Sequence, residues 1–142
     1  MHPPLPDWER PVIRNDDSIV LEIRYRDVSV VLPGDIGAKV EATLAGAFSP
    51  AGVRVLKTPH HGSRTSSSAG FVATLRPDVA VVSAGRQSPF GHPAPTVVRR
   101  YTDAGARVYQ TGIDGAVVVC TNGAQTRVET TVGTRRFTLG RL

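Results

Sequence analysis

Cysteine is nearly absent from this chain of 142 residues: Cys120 stands alone, so no disulfide framework can hold the fold. The same count excludes a zinc site built from cysteines. Cys120 closes the apolar run Ala116 to Cys120 and reads as a small buried hydrophobe. No stretch nears the roughly 18 apolar residues that span a bilayer, so the isolated chain reads as soluble. The segment Met1 to Arg14 has prolines, charges and Trp8 but no apolar core, which makes it an N-terminal extension and not a secretory signal. Missing too are a Gly-x-Ser-x-Gly elbow, a Walker loop and a Gly-x-Gly-x-x-Gly turn. Lysine is scarce, with two against 15 arginines, and the net charge is +5. Arginine reads phosphate bidentately, but here the arginines are scattered, which suits a solvated basic surface as well as a polyanionic partner.

What is present is the length of one domain and a pattern of short alternating elements. Ser18 to Tyr25 alternates, with Ile19, Leu21, Ile23 and Tyr25 on one face of a half-buried strand. Val28 to Leu32 is a second strand of the same hairpin. Ile36, Val40, Leu44 and Phe48 fall at helical spacing, which predicts a helix over Ile36 to Phe48. A buried strand over Val53 to Lys57 leads into a His-Gly-Ser loop, and Ser66 to Ser68 cap a helix through Leu75. Asp78 to Ser83 is a further buried strand, Gly85 to Pro95 a loop, and Thr96 to Ala104 a helix ended by Gly105. Strands near Arg107 to Gln110, Ala116 to Cys120, Thr126 to Thr131 and Arg135 to Leu139 follow, with turns at Asp114-Gly115 and Asn122-Gly123. The expected class is α/β, a mixed sheet with three main helices.

The candidate chemistry falls where strands end, as sites do in layered α/β proteins. Asp35 follows a strand and precedes a helix, so it either binds a metal or caps the helix. His60 and His61 cannot share a direction in extended backbone, but in a glycine-containing loop both can reach one cleft. There one binds metal or phosphate while the other donates a proton, or the pair braces the loop. His92, between Gly91 and Pro93, is a ligand on a rigid turn or a loop histidine satisfied by backbone. Ser63, Thr65 and Ser66 to Ser68 offer hydroxyls and backbone N–H groups to a phosphate, or serve as ordinary caps.

Five segments taken together are more specific than any one. They are Asn15-Asp16-Asp17-Ser18-Ile19-Val20-Leu21; Leu32-Pro33-Gly34-Asp35; Leu56-Lys57-Thr58-Pro59-His60-His61-Gly62-Ser63; Val81-Val82-Ser83-Ala84-Gly85 with Phe90-Gly91-His92-Pro93; and Val108-Tyr109-Gln110-Thr111 with Asp114-Gly115. In this order, from about Asn15 to Cys120, they resemble the C-terminal metallo-β-lactamase-fold domain of ComEC/Rec2 DNA-internalisation (competence) proteins. The resemblance implies a metallo-β-lactamase-like αββα sandwich and a metal-dependent phosphodiesterase that degrades the DNA strand not imported. It implies a divalent metal, Zn or Mn, and DNA as partner. It also implies an integral membrane parent whose channel the domain serves, with the domain extracytoplasmic. Carried over, Asp35 and His92 are the metal ligands and His60 and His61 contact the scissile phosphate, while Lys57, Ser63, Thr65 and Ser66 bind phosphate. The opposite assignment, metal on His60 or His61, stays open.

Two departures shape the expectation. Ser88 falls near the position of the family's usual Asn before Gly-His-Pro. The fold's main signature, His-x-His/Asp-x-Asp-His, has no counterpart, since the only histidine before His60 is His2. Residues 15–142 are therefore expected to be the C-terminal half of the domain, incomplete or inactive alone. Such a half would expose an apolar sheet face and be weakly stable, self-associate, or need its missing N-terminal half. The alternatives are a non-catalytic DNA-binding or interaction module, and another metallo-β-lactamase-fold hydrolase acting on a different phosphoester.

Overall fold

The computed structural model describes residues 14–44, 46–133 and 136–140. The predicted N-terminal extension lies almost wholly outside them. Two sheets form. The first has the order β1 (Leu21–Tyr25), β2 (Val28–Leu32), β3 (Val53–Lys57), β4 (Val79–Val82), β5 (Arg107–Gln110), and the second has β6 (Val117–Thr121), β7 (Gln125–Thr130), β8 (Arg136–Gly140). β1 and β2 pair antiparallel, with Leu21 opposite Leu32 and Tyr25 opposite Val28. β2 to β5 run parallel, so their C-terminal ends meet along one edge. The second sheet is antiparallel throughout.

The parallel strands are joined by helices α1 (Ala38–Leu44), α2 (Ala69–Leu75) and α3 (Pro95–Asp103), and α4 (Thr111–Asp114) is a single turn after β5. Val31, Leu56 and Ala80 point to one face of the first sheet and pack with Phe71, Val72, Leu75, Val97 and Tyr101 from the helices. Val55, Val79 and Tyr109 point to the other face and pack on Val128, with Val30, Val81, Val117, Val119 and Leu139 beside them. The layers are thus helices, mixed sheet, smaller sheet. The guanidinium of Arg107 lies 3.2 Å from the centre of the Phe137 ring, locking β8 to β5.

Several expectations need correction. The α/β class and the three main helices stand, but α1 is only seven residues long. Ile36 and Phe48 still pack on its core, from the flanking loops. Their spacing reflects burial in one core and not a helical period. Serine capping of α2 is as expected: Ser68 Oγ accepts from the Phe71 N–H at 3.3 Å. The Asp114-Gly115 turn is the end of α4, where the Asp114 carboxylate accepts from the Gln110 N–H at 2.8 Å. Cys120 is exposed, because its side of β6 faces away from the first sheet. The β1 alternation is real, but its apolar face is the open one: Ile19, Leu21, Ile23 and Tyr25 are 67, 50, 55 and 50% exposed. Nor is Arg54 a solvated surface charge. It is buried, and its guanidinium donates to the carbonyls of Leu75 and Ser49.

Candidate functional site

The loops leaving β2, β3 and β4 at their shared edge carry the expected residues. After β2, Gly34 sits at φ +64°, and a Cβ there would come within 2.6 Å of the Ser18 Cβ, so only glycine fits the turn. The Asp35 N–H donates to Ser18 Oγ at 3.0 Å and the Gly37 N–H to Asp16 Oδ1 at 2.8 Å. Asp16 thus braces the entry to α1. The Asp35 carboxylate is left for the cleft, 3.9 Å from Lys57 Nζ and 3.5 Å from His61 Nε2.

After β3 the backbone does something rare: His60, His61 and Gly62 all have positive φ, at 47°, 53° and 79°. Consecutive left-handed residues are strained and persist only where the surroundings over-determine them. Here the His60 N–H donates to the Gly34 carbonyl at 3.1 Å, the Ala94 N–H to the Gly62 carbonyl at 2.9 Å, and Ser66 Oγ to the Pro59 carbonyl at 3.0 Å. The result turns both imidazoles into one cleft. It is a cavity of about 890 Å³ lined by Asp35, His60, His61 and His92, with Asn15, Ser83, Arg86, Phe90 and Gly112 among its other walls.

The hydrogen bonds fix the ring tautomers. Asn15 Nδ2 donates to His60 Nε2 at 3.0 Å, so a neutral His60 carries its proton on Nδ1. His61 Nδ1 donates to the Ser83 carbonyl at 2.6 Å, so in a neutral ring the Nε2 lone pair faces Asp35. A lone pair opposite a carboxylate is repulsive unless a proton or a cation stands between them. A backbone carbonyl on the far nitrogen is also how ligand histidines are oriented. Two ligands each about 2.0–2.1 Å from a tetrahedral ion stand about 3.3 Å apart, close to the 3.5 Å seen here. Two donors thus fit a metal, but among the described residues no three His, Cys, Asp or Glu side chains come together to hold one.

His92 stands apart from that pair. Its ring centre is 5.6 Å from that of His60, and its Nδ1 is buried with no partner among the described residues. Burial, and then the neighbouring His60 and His61, hold its pKa below the ordinary histidine value, with Asp35 pulling weakly the other way. Burial also lowers the Lys57 ammonium, against the pull of Asp35, and Lys57 Nζ donates to the Thr58 carbonyl at 3.1 Å.

Of the expected phosphate contacts, Lys57 reaches Asp35, and Thr65 lines an adjoining cavity of about 480 Å³ that shares Asn15, Asp35 and His60. Ser63 and Ser66 are not brought to either cavity. Both are buried, and Ser66 Oγ braces the loop. Sequence reasoning missed Asn15, Ser83, Arg86, Thr111 and Gly112 as walls of the cleft. Asn15 opens the first of the five segments, but nothing in the sequence ties it to a histidine 45 positions away. Arg86 and Gly112 meet because the Arg86 Nε donates to the Gly112 carbonyl at 3.0 Å, a contact between two loops.

With this geometry in hand, the chain can be set beside known proteins. It is 36% identical over 115 residues to Recombination protein 2 of Haemophilus influenzae, covering 81% of this chain and 14% of that protein. It is 31% identical to ComE operon protein 3 of Bacillus subtilis (79% of this chain, 14% of that protein) and to Competence protein ComA of Neisseria gonorrhoeae (79% and 16%). The chain is a relative of the ComEC/Rec2 family. It spans about one-seventh of the length of these ComEC/Rec2 relatives. No protein-family model and no solved structure matches it. No helix among the described residues is long and apolar enough to cross a membrane.

Proposed function

We propose that this chain is the C-terminal part of the metallo-β-lactamase-like phosphodiesterase domain of a competence protein, handling DNA during its uptake. One observation carries the reading: loops after three parallel strands bring Asp35, His60, His61 and His92 to a single cleft. The name of one relative, Competence protein ComA, supports the competence part of that reading. Asp35 and His61 Nε2 are the metal-facing pair, which reverses the His61 role expected from the resemblance. A divalent ion there would act as a Lewis acid on the phosphoryl oxygen. His60, with its proton on Nδ1, and His92 line the remaining wall, where a phosphodiester would sit. No third His, Cys, Asp or Glu joins Asp35 and His61 among the described residues.

The test is metal binding by the full chain. Zn²⁺ or Mn²⁺ binding that is lost in Asp35→Ala and in His61→Ala supports the assignment. Binding unchanged in both sinks it. A second reading, DNA binding without cleavage, is favoured by the shortage of a third ligand among the described residues. It predicts salt-sensitive DNA binding that survives both EDTA and the same two substitutions.

A further inference from the structure

Phe90 is 82% exposed, the most exposed of the large hydrophobic residues among those described. An aromatic ring left in water needs a reason, and its position supplies one. Phe90 occupies a tight turn in which the Gly91 N–H donates to the Ser88 carbonyl at 3.0 Å and the His92 N–H to Ser88 Oγ at 3.3 Å. Pro89 fixes one central residue of that turn, so the ring is held out by a stiff backbone. It stands at the lip of the cleft and meets the His92 ring edge to face, centres 5.8 Å apart at 83°. The exposed Arg86, pinned by its bond to Gly112, lines the same cavity as Phe90. An aromatic face beside a guanidinium, next to histidines placed for a phosphate, is the equipment of a single-strand binding groove.

We propose that Phe90 is a base-stacking platform and that the cleft takes single-stranded nucleic acid, with the base beside the phosphate at the histidines stacked on the Phe90 ring. The proposal rests on the reading of the cleft as a phosphodiester site. A base paired in a duplex is already stacked on its neighbours and cannot offer its face to Phe90, so the platform selects single strands over duplex. It is also sequence-tolerant, since every base has a π-face.

The test uses the full chain and three fluorescein-labelled probes of equal length: oligo-dT, an abasic deoxyribose-phosphate strand, and a duplex, read by anisotropy at fixed salt. Wild type should bind oligo-dT about 5- to 150-fold more tightly than the abasic strand, the range expected for one stacked base. Phe90→Ala should remove that preference and leave abasic binding unchanged, while Phe90→Trp should keep it. Circular dichroism of Phe90→Ala should match wild type, because so exposed a ring adds little to the core. Equal binding of oligo-dT and abasic strand by wild type, or a preference that survives Phe90→Ala, overturns the platform and leaves the phosphodiester site standing. Binding of none of the probes overturns both.

Discussion

The two faces of the five-stranded sheet are covered unequally. On the helix side Leu56, Val31 and Ala80 are at 0% exposure under Val72, Val97 and Tyr101. On the other side burial fades across the sheet: Val79 at 0% and Tyr109 at 4% lie beneath the second sheet, while Leu21, Ile23 and Tyr25 on β1 are half exposed. Strand spacing gives the reason. Strands lie about 4.8 Å apart, so a three-stranded layer spans about half the width of a five-stranded one. Arg107 and Phe137 anchor the small sheet at β5. At the far edge its Asn122-Gly123 turn meets the β1–β2 turn, where the Asp27 N–H donates to the Gly123 carbonyl at 3.2 Å, while the apolar side chains of β1 stay half exposed. One face is closed by the chain's own helices; the other is closed only where β6 to β8 reach.

Core truncation on the closed face should break the fold hardest. Leu56→Ala removes a side chain at 0% exposure with helices above it, and should cost about 3 kcal/mol, measured as a fall in the urea midpoint at unchanged slope. A loss under about 1 kcal/mol would mean that the helix face is looser than its burial indicates. Next comes the polar tie inside that face. Glu41 on α1 is fully buried and accepts from the Ser67 and Ser68 N–H groups, the latter at 2.8 Å, while the Tyr101 hydroxyl donates to Ser67 Oγ at 2.9 Å. Glu41→Ala strands the buried Ser67 donor and the half-buried Ser68 donor and should cost about 2–3 kcal/mol. Gly62→Ala is smaller in stability and larger at the site. At φ +79°, with a built Cβ 2.8 Å from the Pro93 Cβ, it should cost about 1–2 kcal/mol and shift the histidine ring resonances.

Much of this was legible in the sequence, and the failures share a cause. Strand periodicity located β2, β3 and β4, and glycine-proline punctuation located the loops that carry Asp35, His60, His61 and His92. A period tells which residues share a face, not whether another layer covers it. The alternation of Ile19, Leu21, Ile23 and Tyr25 was visible; that the second sheet leaves them exposed was not. Cys120 fails in the same way, on the outer face of β6. The site walls were invisible for a different reason: the Asn15–His60 and Arg86–Gly112 contacts join segments that only the fold brings together. Ser66 had the right chemistry for phosphate, but the strained loop spends its hydroxyl on the Pro59 and Ser63 carbonyls.

The open end of the cleft gives a pH signature that the closed face lacks. His92 titrates below its ordinary 6.5 in the native state because burial, and then His60 and His61, disfavour its charge. The unfolded chain therefore takes up a proton that the native chain refuses, between 6.5 and the lower native value. Stability should be fully retained above 6.5 and fall as pH drops through that window. His92→Gln should flatten the fall. The same slope in wild type and variant would assign it to other groups.

The smallest stability effect should lie on the open face, and it discriminates most sharply between the two faces. Leu21→Ser with Ile23→Ser alters two side chains that are 50 and 55% exposed on an edge strand, paired only to β2. Half-exposed positions have little transfer free energy to lose, so unfolding should change by no more than about 0.5 kcal/mol per site. Association should change more. An exposed, apolar edge strand is a template for pairing with another chain, and the strip extends from Ile19 to Tyr25. Sedimentation of wild type should show concentration-dependent self-association that the double variant lacks, while both unfold at the same urea midpoint. If the double variant instead loses stability on the scale of Leu56→Ala, β1 is packed in solution by something within the chain. The contrast between a closed and an open face would then be wrong.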